Sequence, residues 1–330
     1  MPFTVAVVQA APVWMDRDAT IDKACELILE AGQNSARLVA FPESFIPGYP
    51  DWVWNVPAGE QAVLHELNAA FLANAVTIPS DPLDKICRIA RRARMHVVLG
   101  VCERGMEGSV TTLYDTLVYI DAQGRLLGRH RKLAPTGGER LVWAHGDGSA
   151  LFGFPTPFGK IGGLLGWENY LPLARHALYT GGVQIYFAAT WMHGEPWLAT
   201  LRHIAKEGHM YVLSACSVLQ RAGHRVPFGF EPKFYGDSDE WVNAGDSAIV
   251  NPAGDFIAGP VRAKEEILYA EVDPQELRGP RWMLDVAAPD ARLDVFRLTI
   301  NRQPLIELAD DEGAHDVRPI DPLYDSPHGI

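Results

Sequence analysis

Apolar residues along the chain follow two alternating patterns, short continuous runs and longer segments with helical spacing. Phe3–Gln9 is a nearly continuous valine-rich run, typical of a strand that is buried on both faces. Residues 21–31 then carry apolar side chains at helical spacing, and Thr20 before them fits a helix cap. A second apolar run covers residues 38–41, so this part of the chain is predicted to form a strand, a helix and a strand.

The same alternation returns later in the chain. A helix predicted over residues 82–94 leads into an apolar run at 96–102, and a further helix leads into a run at 183–189. This order predicts an α/β protein. Two hairpin-like segments, residues 117–129 and 248–260, carry turn residues between apolar arms. Because these segments look equivalent, we expect two similar β-rich halves that pack face to face with helices outside.

The size of the chain and its C-terminal composition predict one large domain with an extension. The 330 residues are 48% hydrophobic, which is enough for a full enzyme core. No linker divides the two halves, so residues 1–280 are predicted as one domain and residues 281–330 as a C-terminal extension. From about residue 306 the extension is acidic and proline-rich, and we expect this tail to be mobile or docked on a partner.

Charge and cysteine usage exclude several classes of function. The formal net charge of -12 gives no electrostatic reason to bind nucleic acid or an anionic membrane, so small neutral substrates fit better. The four cysteines lie far apart without zinc-like spacing, as expected where thiols stay reduced, and we expect neither a metal nor a cofactor. Because the chain shows no secretory leader and no apolar stretch of roughly 18 residues, a cytoplasmic protein is predicted.

Glu43 is the first of three positions that directly follow an apolar strand, where α/β proteins gather active groups. It lies in the segment Phe41-Pro42-Glu43-Ser44-Phe45. Aromatic neighbours would partly desolvate the carboxylate and raise its pKa toward the range useful to a general base. A capping or salt-bridged glutamate is the alternative interpretation.

Lys132 is the second position, and it closes a basic cluster formed with Arg129, His130 and Arg131. Such a cluster is often a solvated face. Here it ends a predicted strand and runs into a Pro-Thr-Gly-Gly loop, with Glu139 close behind. This order would let a lysine and a carboxylate converge on one site.

Gly166 is the third position. An apolar run over residues 161–165 ends at this glycine, and the chain then becomes polar and aromatic before a helix opened by Pro172. A strand-to-helix elbow is where hydrolases expose a nucleophile beside backbone N–H donors. Gly166 has no side chain, however, so a glycine needed only for a tight turn is the alternative.

Together the three segments resemble the nitrilase superfamily, whose triad of Glu, Lys and Cys arrives in that order on successive strand ends. Phe-Pro-Glu at 41–43 resembles the base motif, and Arg-Lys-Leu-Ala-Pro-Thr at 131–136 resembles the lysine motif. Gly-Trp-Glu at 166–168 resembles the Cys-Trp-Glu nucleophile motif with its cysteine replaced by glycine. That Trp-Glu pair and Glu-Arg-Leu-Val-Trp at 139–143 are similar to the nitrilase branch rather than the amidase or carbamoylase branches. The resemblance covers about residues 3–275.

The resemblance implies both a fold and a reaction. The fold is a four-layer αββα sandwich of two β-sheets flanked by helices, which pairs into dimers and often builds spiral or filamentous homo-oligomers. The reaction converts an organic nitrile to a carboxylic acid and ammonia through a cysteine thioimidate and thioester. Glu43 would act as the base and Lys132 would stabilise the developing negative charge. Glu139 would orient Lys132 or relay protons.

Several side chains near the motifs resemble the walls of a substrate pocket in the family. These candidates for substrate binding are Trp52, Trp54, Trp143, Trp167, Glu168 and His193. A pocket this aromatic would suit an aryl or arylaliphatic nitrile. The alternative for each aromatic residue is a place in the ordinary core.

Two departures from the family pattern qualify these expectations. Without a nucleophile at Gly166, turnover should fall by about 10⁶-fold, and we interpret the glycine as a deliberate replacement of cysteine that gives an inactive form. The alternatives are a natural pseudoenzyme that serves as a binding or assembly module, and an amidase of the same superfamily. Residues 285–296 also depart from a family segment that tends to mediate assembly, which leaves the oligomeric state beyond a dimer open.

Overall fold

The computed structural model describes residues 1–106, 109–221, 240–287, 290–292 and 294–304, which fold around two β-sheets. The strands of the first sheet are β1 (Phe3–Gln9), β2 (Ala36–Ala40), β3 (His96–Arg104), β4 (Leu113–Ile120), β5 (Leu126–Arg131) and β13 (Glu266–Val272). They lie in the order β13-β1-β2-β3-β4-β5. Because β1, β2 and β3 pair in parallel, their carboxyl ends meet at one edge of the sheet.

The second sheet repeats this arrangement. Its strands are β6 (Phe154–Thr156), β7 (Gly159–Leu165), β8 (Ile185–Ala189), β9 (Tyr211–Ser214), β10 (Val218–Gln220), β11 (Trp241–Val250) and β12 (Phe256–Arg262). They lie in the order β10-β11-β9-β8-β7-β6, with β12 paired to β11, and β7, β8 and β9 run parallel. The hairpins β4–β5 and β11–β12 confirm the two predicted hairpin segments, one in each sheet.

Helices cover the outer face of each sheet. The α-helices of the described residues are α1 (Arg17–Gln33), α2 (Trp52–Asn55), α3 (Gln61–Ala73), α4 (Asp81–Ala93), α5 (Pro172–Thr180), α6 (Glu195–Gly208) and α7 (Arg278–Met283). Helices α1 and α4 pack on the first sheet, where Ile28 and Ile86 share a buried core with Val39. Helices α5 and α6 pack on the second sheet, where Leu178 and Leu201 join another core.

A further core lies between the two sheets. Val7 and Leu38 of the first sheet meet Leu165 and Phe187 of the second, and all four side chains are buried. Burying one such side chain stabilises the fold by roughly 1.5–3 kcal/mol. Because one face of each strand contacts helices and the other contacts the opposite sheet, the strands are apolar on both faces. The layers run helix, sheet, sheet, helix, which confirms the predicted αββα sandwich.

Helix α4 shows how local sequence sets an element that the apolar pattern predicts. It begins after Ser80, carries Asp81 and Asp84 in its first turn, and carries Arg91 and Arg92 in its last turn. This charge distribution complements the helix dipole at both ends. The observed bounds lie one residue from the predicted range of 82–94.

The C-terminal extension lies partly within the described residues. Val286, Ala287 and Ile300 pack against the helix layer of the second sheet, and Arg302 donates a hydrogen bond to the Leu151 carbonyl at 3.2 Å. The domain division at residue 280 and an assembly role for the extension stay predictions. The acidic tail from about residue 306 lies outside the described residues. Within the described residues, no helix has the length and apolar character needed to cross a membrane.

Candidate active site

Glu43 lies just beyond the carboxyl end of β2, and its side chain is 1% exposed. Lys132 Nζ donates a hydrogen bond to its Oε1 at 2.7 Å, and the backbone N–H of Trp191 donates to its Oε2 at 2.7 Å. The chain approaches β3 closely here, since a Cβ at Gly100 would lie 2.1 Å from the Pro42 carbonyl oxygen. Glycine at position 100 therefore lets the Glu43 segment pack directly against the first sheet.

Lys132 follows β5, and its side chain is fully buried. Besides its bond to Glu43, Nζ donates to both oxygens of Glu139 at 2.9 Å and lies 3.4 Å from Asp115 Oδ2. The backbone N–H of Lys132 donates to the Asp115 carbonyl at 2.8 Å, which fixes the lysine to β4. One buried ammonium thus contacts three buried carboxyl groups.

The basic cluster that Lys132 closes is not a solvated face. His130 is buried and its Nε2 lies 3.0 Å from Glu168 Oε2, while Arg129 and Arg131 pair with the buried Glu103 at 2.8 and 2.6 Å. The surface interpretation is therefore wrong for His130 and Lys132. Because strand residues alternate in direction, the cluster divides between two buried acids and the catalytic candidates.

Glu139 is held by donors from three elements. It lies in a 3-10 turn, Gly137–Leu141, where its Oε2 accepts the Thr136 backbone N–H at 2.7 Å in a capping box. Its Oε1 accepts the Tyr49 hydroxyl at 2.7 Å. With the two bonds from Lys132, these contacts hold the Glu139 carboxylate beside the lysine, and its role in orienting Lys132 or relaying protons stays a prediction.

Burial and charge shift the acid–base properties of this cluster. Burial raises the pKa of Glu43, and the neighbouring Lys132 ammonium only partly offsets the rise. Burial and the Glu43 charge raise the pKa of Asp115 well above its usual range. Burial by itself would lower the pKa of Lys132, but the three carboxylates outweigh burial and raise it. Lys132 therefore stays charged, whereas Glu43 can take up a proton more readily than an exposed glutamate.

Gly166 faces the Glu43 carboxylate across the interface between the sheets. It begins a 3-10 turn, Gly166–Tyr170, directly after β7, and its φ of +46° lies in the left-handed region. A Cβ added here would lie 2.5 Å from Glu43 Oε1 and 2.9 Å from Oε2. The side chain of any other residue at this position would therefore point at the predicted base. The structure brings Glu43, Lys132, Glu139 and Gly166 together.

A cavity of about 310 Å³ opens onto Glu43, Glu139 and Gly166. The remaining wall is mainly aromatic: Tyr49, Trp54, Trp167, Tyr170, Trp191, Met192, His193, Pro196 and Trp197. Of the predicted wall residues, the structure brings Trp54, Trp167 and His193 to this cavity. It does not bring Trp52, Trp143 or Glu168 to the cavity surface.

These three residues lie behind the wall. Trp52 is fully buried and packs edge-on against Phe71, and Trp143 lies beneath Lys132, whose Nζ is 5.4 Å from the indole centroid. Glu168 accepts the backbone N–H groups of Leu133 at 2.8 Å and Leu165 at 3.1 Å. Burial would raise the pKa of Glu168, but His130 and these N–H donors outweigh burial and lower it. Glu168 thereby connects the segment that follows Lys132 to the end of β7, just before Gly166.

Sequence reasoning missed several residues of the site. Trp191 comes two residues after β8, so the strand-end rule that selected Glu43 also points to it. Asp115 is a buried acid within β4. The sequence pattern that could have indicated it is a lone carboxylate in a strand whose other residues are apolar or neutral. The sequence did not indicate that Tyr170 and Trp197 line the cavity, because Tyr170 lies in a turn and Trp197 in an amphipathic helix.

The four cysteines do not take the place of a nucleophile at position 166. None of them lines the described cavity. Burial raises the pKa of Cys102 and Cys216 well above the usual range of a thiol, and it raises the pKa of Cys25 and Cys87 to about 11. These thiols are therefore protonated at neutral pH and poorly nucleophilic. Among the described residues, no group of His, Cys, Asp and Glu is arranged to hold a metal ion.

Comparison with known proteins agrees with this geometry. Residues 4–281 match the carbon-nitrogen hydrolase family. The chain is 40% identical to an aliphatic nitrilase of Sinorhizobium fredii (strain HH103), over 92% of this chain and 96% of that protein. It is 38% identical to a bifunctional nitrilase/nitrile hydratase of Lupinus angustifolius, over 90% of this chain and 86% of that protein.

Solved structures share the same fold. A carbon-nitrogen hydrolase from Helicobacter pylori G27 superposes with a TM-score of 0.66 at 20% identity, covering 89% of this chain and 97% of that one. At that identity the likeness concerns the fold. The family match and the nitrilase relatives carry the assignment further: this chain belongs to the carbon-nitrogen hydrolase family, in its nitrilase branch, whose members are hydrolases that act on carbon–nitrogen bonds.

Proposed function

We propose that this site is built to hydrolyse an aryl or arylaliphatic nitrile to the carboxylic acid and ammonia, with a thiol at position 166 as the nucleophile of the active form. The observation that carries the proposal is that Glu43 and position 166 line one aromatic cavity, while the buried Lys132 is hydrogen-bonded to Glu43. Glu43 Oε1 accepts from Lys132 at 2.7 Å and would lie 2.5 Å from a Cβ at position 166.

The proposed reaction uses each of these groups in turn. Glu43 takes the thiol proton, and the thiolate attacks the nitrile carbon. The displaced electron pair moves to nitrogen, where the Lys132 ammonium stabilises it and protonation gives a thioimidate. Glu43 passes its proton to nitrogen and then takes a proton from a water whose oxygen bonds to the thioimidate carbon, which gives a tetrahedral intermediate. The C–N bond of this intermediate breaks as nitrogen takes up the proton, and ammonia leaves the thioester. A second water cleaves the C–S bond of the thioester, which releases the acid and restores the thiol.

The product depends on which bond of the first tetrahedral intermediate breaks. Cleavage of C–N leads to the acid, whereas cleavage of C–S releases the amide. The lupin relative is described as both a nitrilase and a nitrile hydratase. We therefore include the amide as a product to be measured beside the acid.

The substrate class follows from the composition of the wall. Six aromatic residues surround a volume of about 310 Å³, and a phenyl ring stacks favourably on such surfaces. The Sinorhizobium relative is described as an aliphatic nitrilase. A panel of phenylacetonitrile, benzonitrile and propionitrile separates these classes, because an aromatic cavity favours the first two.

We propose that the chain with Gly166 does not turn over nitriles at the rate of its family. Loss of a nucleophile in comparable hydrolases costs about 10⁶-fold in kcat. The glycine is best explained as a replacement of cysteine, and a glycine codon in the natural gene would instead favour a pseudoenzyme with a binding or assembly role.

The test is the substitution Gly166→Cys, assayed for ammonia release from the nitrile panel and from the matching amides. We expect release from arylaliphatic nitriles by the variant and none above background from the Gly166 chain. Gly166→Ala is the matched control, since it adds Cβ without a thiol. A variant that is inert on all nitriles would overturn the proposal, and one that hydrolyses only amides would make this chain an amidase.

We also propose self-association into dimers and larger spiral or filamentous homo-oligomers. Leu171 and Leu173, at the start of α5, leave 38% and 67% of their surface exposed, which favours contact with another copy. Electron microscopy of the purified chain tests this, and a monomer at all concentrations would contradict it.

A further inference from the structure

Strand β11 carries a bulge behind the cavity that the proposed reaction does not use. Its pairing with β12 shifts register between Gly245 and Ser247, and Asp246 between them has a φ of +85°. Residues other than glycine rarely adopt this conformation. Bulges often re-aim side chains beside active sites. Here the bulge turns the carboxylate of Asp246 into the protein, where the residue is only 2% exposed.

Two side chains of β11 hold the loop at residues 190–194, which follows β8: Asp246 from the bulge and Asn243 from the strand just before it. Asp246 Oδ2 accepts the backbone N–H of Gly194 at 2.6 Å, and Asn243 Nδ2 donates to the Trp191 carbonyl at 2.6 Å. The loop is thus fastened near both of its ends. Gly194 is also the N-cap of α6, so the negative charge of Asp246 lies at the favourable end of that helix dipole.

Arg262 keeps the Asp246 carboxylate in place and ionised. Its Nε donates to Asp246 Oδ1 at 2.9 Å, and a second nitrogen pairs with Oδ2. Burial would raise the pKa of Asp246, but the hydrogen bonds from Arg262 and Gly194 outweigh burial and lower it. The carboxylate is therefore charged at neutral pH and accepts the Gly194 N–H strongly.

The loop carries both a partner of the base and part of the cavity wall. The Trp191 N–H donates to Glu43 Oε2 at 2.7 Å, and the Trp191 ring stacks on Tyr49 at 4.8 Å between centroids. Met192 and His193 line the cavity. A displacement of this loop by 1 Å would move the wall and loosen the orientation of Glu43 at the same time.

We propose that Asn243 and Asp246 are positioning residues that hold the loop 190–194 against the active site. Asp246 fixes the end that carries Met192 and His193 of the cavity wall, so it sets how tightly an arylaliphatic nitrile is bound. Asn243 fixes the end that carries the Trp191 N–H, so it sets the alignment of Glu43. The kinetic part of this inference rests on the proposed function, whereas its structural part does not.

The structural part is tested by amide hydrogen exchange in the Gly166 chain. Asp246→Gly removes the carboxylate and relieves the backbone conformation, so we expect a folded protein in which the Gly194 amide exchanges at least tenfold faster. The matched control is Ala263→Gly in the same hairpin, another residue with positive φ, at +56°, whose N–H pairs with the Ala244 carbonyl at 2.7 Å. Equal protection of Gly194 in both variants would overturn the inference.

The kinetic part is tested in the Gly166→Cys background with phenylacetonitrile. We expect Asp246→Gly to raise KM by about tenfold while kcat changes little, and Asn243→Ala to lower kcat by about tenfold while KM changes little. Asp246→Asn, which keeps an acceptor for Gly194, should restore part of the KM. Equal losses in both parameters for both variants would overturn the division of roles. If Gly166→Cys alone is inert, the proposed function fails. Hydrogen exchange still tests whether Asp246 holds the loop 190–194.

Discussion

A cysteine at position 166 should restore chemistry and cost stability, because the backbone there suits glycine. The φ of +46° costs an L residue about 1–2 kcal/mol. The added Cβ would also lie 2.5 Å from Glu43 Oε1, so the carboxylate must shift and weaken its 2.7 Å bond with Lys132. We expect Gly166→Cys to unfold with a free energy lower by about 1–3 kcal/mol, in the range of strain stored at functional sites.

Urea denaturation of the Gly166 chain and of Gly166→Cys and Gly166→Ala measures this cost. Both variants should lose stability, since the penalty comes from Cβ rather than from sulfur. Gly59→Ala is the control, because a Cβ there meets no atom within 4 Å, and it should be neutral or gain up to about 1 kcal/mol. Equal stability of both variants and the glycine form would show that a Cβ at position 166 causes no strain.

Three further predictions concern the buried cluster and the cavity wall. The folded-state pKa of Asp115 is raised, so its contribution to stability is present below the unfolded pKa of about 4 and is lost as pH rises. Asp115→Asn should therefore increase the unfolding free energy by an amount that grows between pH 4 and 8, and parallel urea curves would count against this. In the Gly166→Cys chain, Lys132→Met removes the cation that lowers the pKa of Glu43, so the acid limb of the pH profile of kcat/KM should move to higher pH. The rate should also fall by roughly 10²–10³-fold. An acid limb at the same pH in both chains would show that Lys132 does not lower the pKa of Glu43. Trp54→Ala in that same chain should raise KM for phenylacetonitrile by roughly 3–10-fold but leave propionitrile unchanged, and equal effects on both would argue against ring stacking.

The layers of the fold could be predicted from the sequence because the pattern that indicates each strand or helix lies within that segment. A strand buried on both faces must be continuously apolar, and Phe3–Gln9 matches its predicted range. The two hairpins could likewise be predicted from their turn residues. The order of strands in each sheet is not local, since β13 returns to pair beside β1 from the far end of the chain. No apolar pattern encodes that pairing.

The candidate site divides in the same way. Glu43, Lys132 and Gly166 could be selected because each follows a strand and matches a motif. Asp115 contributes to the same cluster from within a strand, and its importance depends on the approach of Lys132 to 3.4 Å. Trp52 and Trp143 were expected at the cavity surface but pack behind it, because sequence position near a motif does not fix the direction of a side chain. The bulge at Asp246 could not be predicted either, because the sequence does not show the direction of the Asp246 side chain.

Peptide mass spectrometry of the Gly166→Cys chain, after acid quenching during turnover of phenylacetonitrile, tests most directly whether position 166 carries the nucleophile. We expect a phenylacetyl-derived adduct on the peptide that contains residue 166, and loss of that adduct when Glu43→Gln or Lys132→Met is added. An adduct on Cys102 or Cys216, or turnover without any adduct at residue 166, would contradict the claim that Glu43, Lys132 and position 166 form one catalytic site.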